Sequence, residues 1–272
     1  MITRSLGYRT DLFFPAFDGY IIDRGDYLVI QTPANPDFYW GNYLLFTNPP
    51  AKGDLDHWRG LFAKEIGLPP AVKHQVFGWD SPQGDLGEVD PFLSAGFRLV
   101  QSVVLTSHAP HPPTRLNESI TVRALQSEDD WAQATDNQVA CREADFSEAD
   151  YRLFKHPQMA RYRRMQSAGL GHWYGAFLAD RMVADLGIFH QNSLARFQSV
   201  GTHPDFRRQG IAASLVYRSS LLAMQEFKLH TLVIVAEQDS SPARIYQSVG
   251  FEMTEKQVGL EWWQGIQAED SK

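Results

Sequence analysis

Apolar positions along this sequence alternate between the spacing of strands and the spacing of helices, most clearly after residue 118. Short apolar segments bounded by turn residues predict strands, and apolar positions three and four residues apart predict helices. The predicted strands cover 120–123, 172–178, 182–190, 195–200 and 231–236, with a last pair of strands from 251 on. The predicted helices begin at Ser127, cover 147–168, run from 211 to 227 and cover 242–249. The C-terminal half is therefore predicted to be α/β.

Three of these strands follow one another through short polar connections. Turn-like residues at 179–181 and 191–193 separate the strands predicted between 172 and 200. Connections this short join antiparallel neighbours, so we predict an antiparallel meander. The segment 231–236, by contrast, is a continuous apolar run rich in β-branched residues, which is typical of a strand buried on both faces.

Prolines are concentrated in the first part of the chain, where twelve of the fifteen lie before residue 114. Their last cluster lies in 107–113, and neither a helix nor a sheet interior runs through such a segment because proline fixes φ and lacks an amide donor. We therefore predict a domain at 1–106, a proline-rich linker at 107–117 and a second domain at 118–272. His108 and His111 are expected to be exposed loop residues of this linker rather than metal ligands.

Composition limits the classes of function. With 43% hydrophobic and 21% charged residues, the chain resembles a soluble folded protein. Its net charge is −7, and the absence of a concentrated basic surface predicts that nucleic acid is not a partner. Cys141 is the single cysteine, which excludes an intramolecular disulfide and a clustered-cysteine zinc site. No apolar segment has signal-peptide or membrane-spanning length, so we expect a cytoplasmic protein with no membrane partner. We also expect no metal, because a clustered-cysteine site is excluded and His108 and His111 are expected to be loop residues.

A turn between a strand and a helix is the first candidate for chemistry. The strand that ends near Val200 and Thr202 leads through Arg207, Arg208, Gln209 and Gly210 into the helix that begins at Ile211. Unpaired backbone amides at a helix N-terminus attract anions, and the two arginines add positive charge. Gly210 lets the backbone approach a bulky pyrophosphate, and the small side chain of Ala212 keeps the first helical turn open.

This turn resembles the acyl-CoA-binding motif of the GNAT superfamily of N-acyltransferases, in which Arg or Gln is followed by two residues, Gly, one residue, and Gly or Ala. Arg207, Gly210 and Ala212 fit this pattern. The resemblance implies that Arg207, Arg208, Gln209, Gly210, Ile211 and Ala212 hold the pyrophosphate of CoA. It also implies that main-chain groups of Val200 and Thr202 pair with pantetheine.

A second motif follows about thirty residues later, as Tyr246, three residues, and Gly250-Phe251. It resembles the second GNAT signature, and it follows the buried strand as the family order requires. Asp239 stands where many members have Asn, which leaves one hydrogen bond near the pantetheine arm in question. Two motifs in the family order and across the expected elements make the resemblance specific for residues 118–264.

The resemblance implies a reaction in which an amine attacks a thioester carbonyl and a thiolate leaves. A tyrosine within hydrogen-bond reach can protonate the departing sulfur, and Tyr246 is our candidate for this general acid. The general base is open, because Gln198 in the strand before the turn cannot accept a proton. The candidates are Glu237, which we place in the catalytic set, and Asp185, His190, Glu143 and Asp145.

The N-terminal half looks like a faded copy of this arrangement. Ala95-Gly96-Phe97 aligns with Val249-Gly250-Phe251 at an offset of 154 residues, and the same offset places Phe92 opposite Tyr246. The segment 47–53 contains two prolines and lacks the anion-binding motif. We therefore predict a structural role for residues 1–106, or a role as a wall of the substrate pocket. For the aromatic group Phe38, Tyr39, Trp40 and Tyr43 we favour packing over a pocket lining.

The resemblance implies a mixed, mostly antiparallel sheet flanked by helices, present twice in tandem. The leading hypothesis is an enzyme that transfers an acetyl group from acetyl-CoA, without a metal, to a primary amine of a small molecule. A non-catalytic acyl-CoA sensor or interaction protein is the alternative from a different class. A transferase that uses longer acyl groups or modifies protein amines is the third possibility.

Overall fold

The computed structural model describes residues 1–143 and 146–264, and these residues form two compact units. One unit contains residues 1–103 together with the described residues from 255 on, and the other contains residues 104–254. Each unit is mixed α/β, with strands that are mostly antiparallel and with flanking helices. The fold class predicted from the sequence is therefore confirmed.

The C-terminal unit contains the elements that the two motifs belong to. Its strands are β5 (Arg98–Ser107, from residue 104 on), β6 (Thr121–Ala124), β7 (Gly171–Leu178), β8 (Arg181–Gln191), β9 (Leu194–Thr202), β10 (Thr231–Glu237) and the first residues of β11 (Glu252–Trp263). Its helices are α5 (Glu128–Ala140), α6 (Glu148–Ser167), α7 (Ile211–Phe227) and α8 (Ser241–Gln247).

The predicted meander is confirmed in this unit. Within it the strand order is β5–β10–β9–β8–β7–β6. Strands β6 to β9 pair antiparallel with their neighbours, whereas β9 and β10 are parallel and are joined through α7. A parallel pair requires such a crossover, because the chain must return to the end of the sheet where the first strand began before the second strand can start.

Helices cover both faces of these strands. On one face, Tyr162 of α6 stacks on Trp173 and Phe189, with ring centroids 4.8 and 5.3 Å apart. On the other face, Phe227 at the end of α7 packs on His172 and His190. His172 and Trp173 are neighbours on β7, and successive side chains of a strand point to opposite faces. The nearly continuous apolar pattern of these strands is explained by burial on both sides.

The predicted helix cap at Ser127 is confirmed. Its hydroxyl accepts a hydrogen bond from the backbone amide of Asp130 at 3.1 Å, and the Asp130 carboxylate accepts one from the Ser127 amide. Arg123 binds both carboxylate oxygens of Asp130 at 2.7 Å and holds the pKa of that carboxyl well below its usual range. This reciprocal cap fixes the start of α5 against β6.

The N-terminal unit repeats part of this topology. It contains α1 (Leu6–Asp11), α2 (Phe13–Asp18), β1 (Tyr20–Asp23), β2 (Tyr27–Gln31), β3 (Tyr43–Phe46), α3 (Asp54–Glu65), β4 (His74–Trp79) and α4 (Asp90–Ser94). Strands β1, β2 and β3 are antiparallel neighbours, and β3 and β4 are parallel and joined through α3. The crossover β3–α3–β4 thus has the same form as β9–α7–β10, in agreement with the repeat seen in the sequence.

The end of the chain differs from the sequence expectation. The prediction of two strands after Phe251 is wrong, because residues 252–263 form the single strand β11. Its second half pairs antiparallel with β4, from Gly259 opposite Gly78 to Trp263 opposite His74. Residues from 255 on therefore group with the N-terminal unit, whereas we expected them in a domain spanning 118–272. An alternating pattern identifies a strand but not the edge with which it pairs. The functional roles assigned to the two halves stay predictions.

Candidate active site

A cavity lies where β9 and β10 separate. The two strands pair from Leu194–Thr231 to Arg196–Val233, and beyond this point no pairing between them is found in the described structure. The resulting gap holds a cavity of about 310 Å³. It is lined by Phe197, Ser199, Val200, Ile234, Val235, Ala236, Glu237, Ser240, Pro242 and Tyr246. Tyr246 of the second motif and Val200, on the strand that leads into the first motif, therefore line the same cavity.

A β-bulge redirects β9 beside this cavity. Asp185 lies opposite Gly201 and Gly187 lies opposite Gln198, so two residues of β9 face a single residue of β8. Ser199, in the bulge, has a φ of 47°. Because an extra residue bends and twists the bulged strand, the bulge turns β9 away from β10.

Two side-chain amides join the bulge to a buried carboxylate. Gln138 donates to Asp185 Oδ1 at 2.9 Å and to the Ser199 carbonyl at 2.7 Å. Asn137 donates to the same Oδ1 at 2.6 Å and is 3.4 Å from the Gly201 carbonyl. Trp173 Nε1 donates to Asp185 Oδ2 at 2.8 Å. Asp185 thus organises three donors, two of which also hold the backbone of the bulge.

Asp185 was one of the candidate bases, and its environment favours a positioning role instead. Its side chain is fully buried, both of its oxygens accept hydrogen bonds, and it is not among the residues that line the cavity. Burial raises the pKa of this carboxyl to about 7, although the three donors act in the opposite direction. A carboxylate enclosed in this way orients its neighbours, because substrate cannot reach it.

This raised pKa makes stability depend on pH. The folded pKa of Asp185 lies above its value in the unfolded chain, so its contribution to stability is complete below about pH 4 and is lost as the pH rises through 7. Between pH 5 and pH 7 we expect the free energy of unfolding of the wild type to fall by about 1 kcal/mol per pH unit relative to Asp185→Asn. Urea unfolding of both proteins at several pH values measures this difference. If the free energy of unfolding changed with pH in the same way in both proteins, Asp185 would titrate as an ordinary carboxyl.

Tyr246 reaches the cavity from α8. The residue is buried, and burial raises the pKa of its phenol well above the usual value. Within the described part of the chain its hydroxyl has no hydrogen-bond partner, so it remains available to a ligand. The carbonyl of Tyr246 accepts a hydrogen bond from the Phe251 amide at 3.2 Å, which joins the two ends of the second motif.

The turn before α7 has the geometry of an anion-binding loop. Arg208 and Gly210 have φ values of 64° and 73°, and Gly210 is the N-cap of the helix. The first amides of a helix have no acceptor within it and face the preceding loop. The side chains of Arg207 and Arg208 are exposed here, and Arg207 Nε also donates to the Thr202 carbonyl at 3.2 Å.

The segment that we predicted as a linker supports this loop, which the sequence did not reveal. Asn117 donates through Nδ2 to the Gln209 carbonyl at 2.9 Å and through its amide to Ser214 Oγ at 2.7 Å. A Cβ on Gly210 would lie 2.9 Å from the carbonyl oxygen of Arg115. Residues 115–117 therefore hold the loop in place. Glycine is needed at position 210 because the φ is positive and because a Cβ would collide with the Arg115 carbonyl oxygen.

The other predicted binding residues lie on the same path. Val200 lines the cavity, Thr202 ends β9, and Ile211 and Ala212 form the first turn of α7, where Ile211 is buried and Ala212 half-buried. Asp239 follows β10 with a φ of 58°, and its carbonyl accepts from Arg244 at 2.8 Å. A chain of positions thus runs from the cavity along β9 to the loop.

The candidate bases fall in different places. Glu237 is exposed at the end of β10 and is the carboxylate among the described lining residues. His190 packs on Phe227 away from the cavity lining, Glu143 is exposed in the connection between α5 and α6, and Asp145 lies outside the described residues. Gln198 lies 3.4 Å from the Tyr162 hydroxyl. Of the four candidates within the described residues, Glu237 is the one that lines the same cavity as Tyr246.

The corresponding gap in the N-terminal unit is closed. Strands β3 and β4 stay paired to Phe46 and Trp79, where β3 and β4 end, and the Asp80 amide extends the ladder to the Phe46 carbonyl at 2.9 Å. Phe92, the counterpart of Tyr246, is fully buried against Trp58. The four aromatic residues 38, 39, 40 and 43 make packing contacts within this unit: Tyr39 stacks on His74, and Trp40 contacts Tyr43.

The described residues, 1–143 and 146–264, also bear on metal binding and on membrane insertion. No group of three His, Cys, Asp or Glu side chains in these ranges is arranged to hold a metal ion. No helix in the same ranges has the length and apolar character needed to cross a membrane.

Known structures share this fold, and part of the second half of the sequence matches a family model. Residues 170–253 match the family model of the acetyltransferase (GNAT) domain. A GCN5-related N-acetyltransferase from Kribbella flavida is 13% identical, with a TM-score of 0.63 over 96% of each chain. A GCN5-related N-acetyltransferase from Sphaerobacter thermophilus is 15% identical, with a TM-score of 0.58 over 90% of this chain and 84% of that one. No curated protein matches the chain by sequence.

The resemblance to the GNAT superfamily is thus confirmed for residues 170–253, which match its domain model, and the fold is the one found in GNAT structures. A tandem GNAT protein from the clavulanic acid biosynthesis pathway is also similar in fold, with 10% identity and a TM-score of 0.51 over 78% of this chain and 69% of that one. The predicted tandem arrangement agrees with this similarity and with the repeated crossover.

Proposed function

We propose that this protein is an N-acetyltransferase that transfers the acetyl group of acetyl-CoA to a primary amine of a small molecule. The observation that carries the proposal is the cavity between β9 and β10, which is lined by Tyr246 and by Ser199 and Val200 of the strand that leads to the loop before α7. An extended ligand with an anionic end fits this path. Its phosphates would meet the amides of Gly210 to Ala212 and the charges of Arg207 and Arg208.

The acyl donor supplies a thioester, whose carbonyl carbon forms a bond to the amine nitrogen while the bond to sulfur breaks. Tyr246 donates a hydrogen bond to the sulfur as negative charge develops there, and the thiolate takes up a proton as it leaves. Because burial raises the pKa of the phenol, Tyr246 is protonated at neutral pH and can donate this hydrogen bond in every turnover. A phenol less acidic than a thiol stabilises the charge before it transfers the proton.

The amine nitrogen must lose a proton in the same reaction. Glu237 is our candidate to accept it, directly or through water, because this carboxylate shares the cavity with Tyr246. Because Glu237 is exposed at the end of β10, its carboxyl group would release the proton to solvent. The thiolate takes its proton from Tyr246, which regains one from solvent, so the proton released through Glu237 balances the one that is taken up.

The first test measures donor binding and turnover. We expect acetyl-CoA to bind in calorimetry, and thiol release to increase when the right small amine is present in a panel of aliphatic amines, amino sugars and amino acids. Arg208→Glu should weaken acetyl-CoA binding at least tenfold, because it reverses the charge beside the phosphates. The matched control is Arg59→Glu, an equally exposed arginine of α3 with the same change in net charge.

The outcomes separate the remaining functions. Binding with no turnover of any amine would favour the acyl-CoA sensor, and turnover with lysine-containing peptides alone would favour a protein-amine transferase. The absence of acetyl-CoA binding, or equal affinity in Arg208→Glu and the wild type, would remove the basis of the proposal.

A further inference from the structure

The closed end of the cavity is formed by aromatic and aliphatic side chains. Pairing between β9 and β10 stops at Arg196 and Val233, so Phe197 and Ile234 are the first residues on either side of the gap. Both line the cavity and both are buried. The polar lining residues, Ser199, Glu237 and Ser240, lie farther along the strands or beyond them. The cavity is therefore apolar at its closed end.

The Phe197 ring is held in place from behind. It packs edge to face on Phe251, with ring centroids 5.6 Å apart, and the two residues are only 3% and 2% exposed. The Phe251 amide donates to the Tyr246 carbonyl at 3.2 Å. Because Phe251 is tied to the residue that we propose as general acid, the aromatic wall and the phenol keep a fixed spacing.

A ligand along β9 would have its two ends at defined places. From Thr202, beside the anion-binding loop, to Phe197 the strand spans five residues, or about 17 Å at the usual rise per residue. A donor whose phosphates lie at the loop would thus bring its acyl end close to the Phe197 ring and to Tyr246. The Phe197 ring then lies where the additional carbons of a longer acyl chain would have to fit.

We propose that Phe197, supported by Phe251, limits the acyl group of the donor to two or three carbons. This inference rests on the proposed function and adds the class of acyl donor. An apolar end suits a methyl or ethyl group, and an immobilised ring leaves no room for further methylenes. One methylene too many in a hydrophobic pocket changes specificity by about 10–200-fold.

The test compares acetyl-, propionyl-, butyryl- and hexanoyl-CoA with the full chain, through dissociation constants and thiol release. For the wild type we expect acetyl-CoA to bind at least tenfold more tightly than butyryl-CoA. Phe197→Ala should reduce or reverse this ratio, with butyryl-CoA gaining at least tenfold relative to acetyl-CoA. Phe197→Leu, which preserves more of the core, should shift the ratio in the same direction and guards against loss of folding.

Phe189→Leu is the matched control, because Phe189 is a fully buried aromatic residue of the same unit that does not line the cavity. It should leave the ratio unchanged. Equal affinity of the wild type for hexanoyl-CoA and acetyl-CoA, or an unchanged ratio in folded Phe197→Leu and Phe197→Ala, would overturn the inference while leaving acetyl transfer intact. Failure of the wild type to bind any acyl-CoA would instead remove the proposed function itself.

Discussion

Tyr246→Phe is expected to lower kcat by at least a hundredfold while the dissociation constant of acetyl-CoA changes less than twofold. The variant keeps the ring that packs in the cavity wall and removes only the hydroxyl, which has no partner in the described structure. General acid catalysis contributes about 10²–10⁴-fold, so its loss appears in turnover rather than in binding. Steady-state rates with the identified amine and calorimetry with acetyl-CoA measure both quantities.

Tyr174→Phe is the matched control for this prediction. Tyr174 is also buried in the C-terminal unit, its buried hydroxyl has no hydrogen-bond partner among the described residues, and burial raises the pKa of its phenol too. It does not line the cavity. We expect unchanged kcat in this variant. Similar rates for Tyr246→Phe and the wild type would exclude Tyr246 as the proton donor.

Local structure was predictable because each element carries its own pattern. The helix predicted at 147–168 is observed at Glu148–Ser167, and the strand predicted at 231–236 is observed at Thr231–Glu237. Residue patterns and end signals, such as the cap at Ser127 for α5 and the glycine at 250 after α8, define elements of this kind through contacts between near neighbours in the chain. The turn before α7 and Tyr246 were found because each belongs to a short motif that resembles one of the GNAT superfamily.

The features that shape the site were not predictable from such patterns. Ser199 takes a positive φ although serine has no strong preference for it, so the bulge leaves no mark in the sequence. The contacts of Asn117 with the anion-binding loop join residues that are more than ninety positions apart. One signal was available: Gln138 falls in the apolar stripe of α5 with Trp131 and Ala134, and a polar residue there must find a buried partner.

The anion-binding loop gives the second large effect, which we expect for Gly210→Ala. This variant should weaken acetyl-CoA binding at least tenfold, because its Cβ would lie 2.9 Å from the Arg115 carbonyl oxygen and the loop would have to move. The neighbouring backbone cannot yield easily, since Asn117 ties it to Gln209 and Ser214. Displaced amides of the loop would no longer converge on a phosphate. Calorimetry with acetyl-CoA measures the loss.

Gly53→Ala separates this effect from backbone strain. Gly53 is the N-cap of α3 with a φ of 91°, close to the 73° of Gly210, and a Cβ there would meet no atom within 4 Å. A left-handed conformation costs an alanine about 1–2 kcal/mol, so Gly53→Ala should lose about this much stability in thermal unfolding, and Gly210→Ala should lose more because of the contact with Arg115. Only Gly210→Ala should lose affinity for acetyl-CoA. Equal affinities in the two variants would mean that the loop before α7 does not hold the donor, because position 210 would then matter for folding alone.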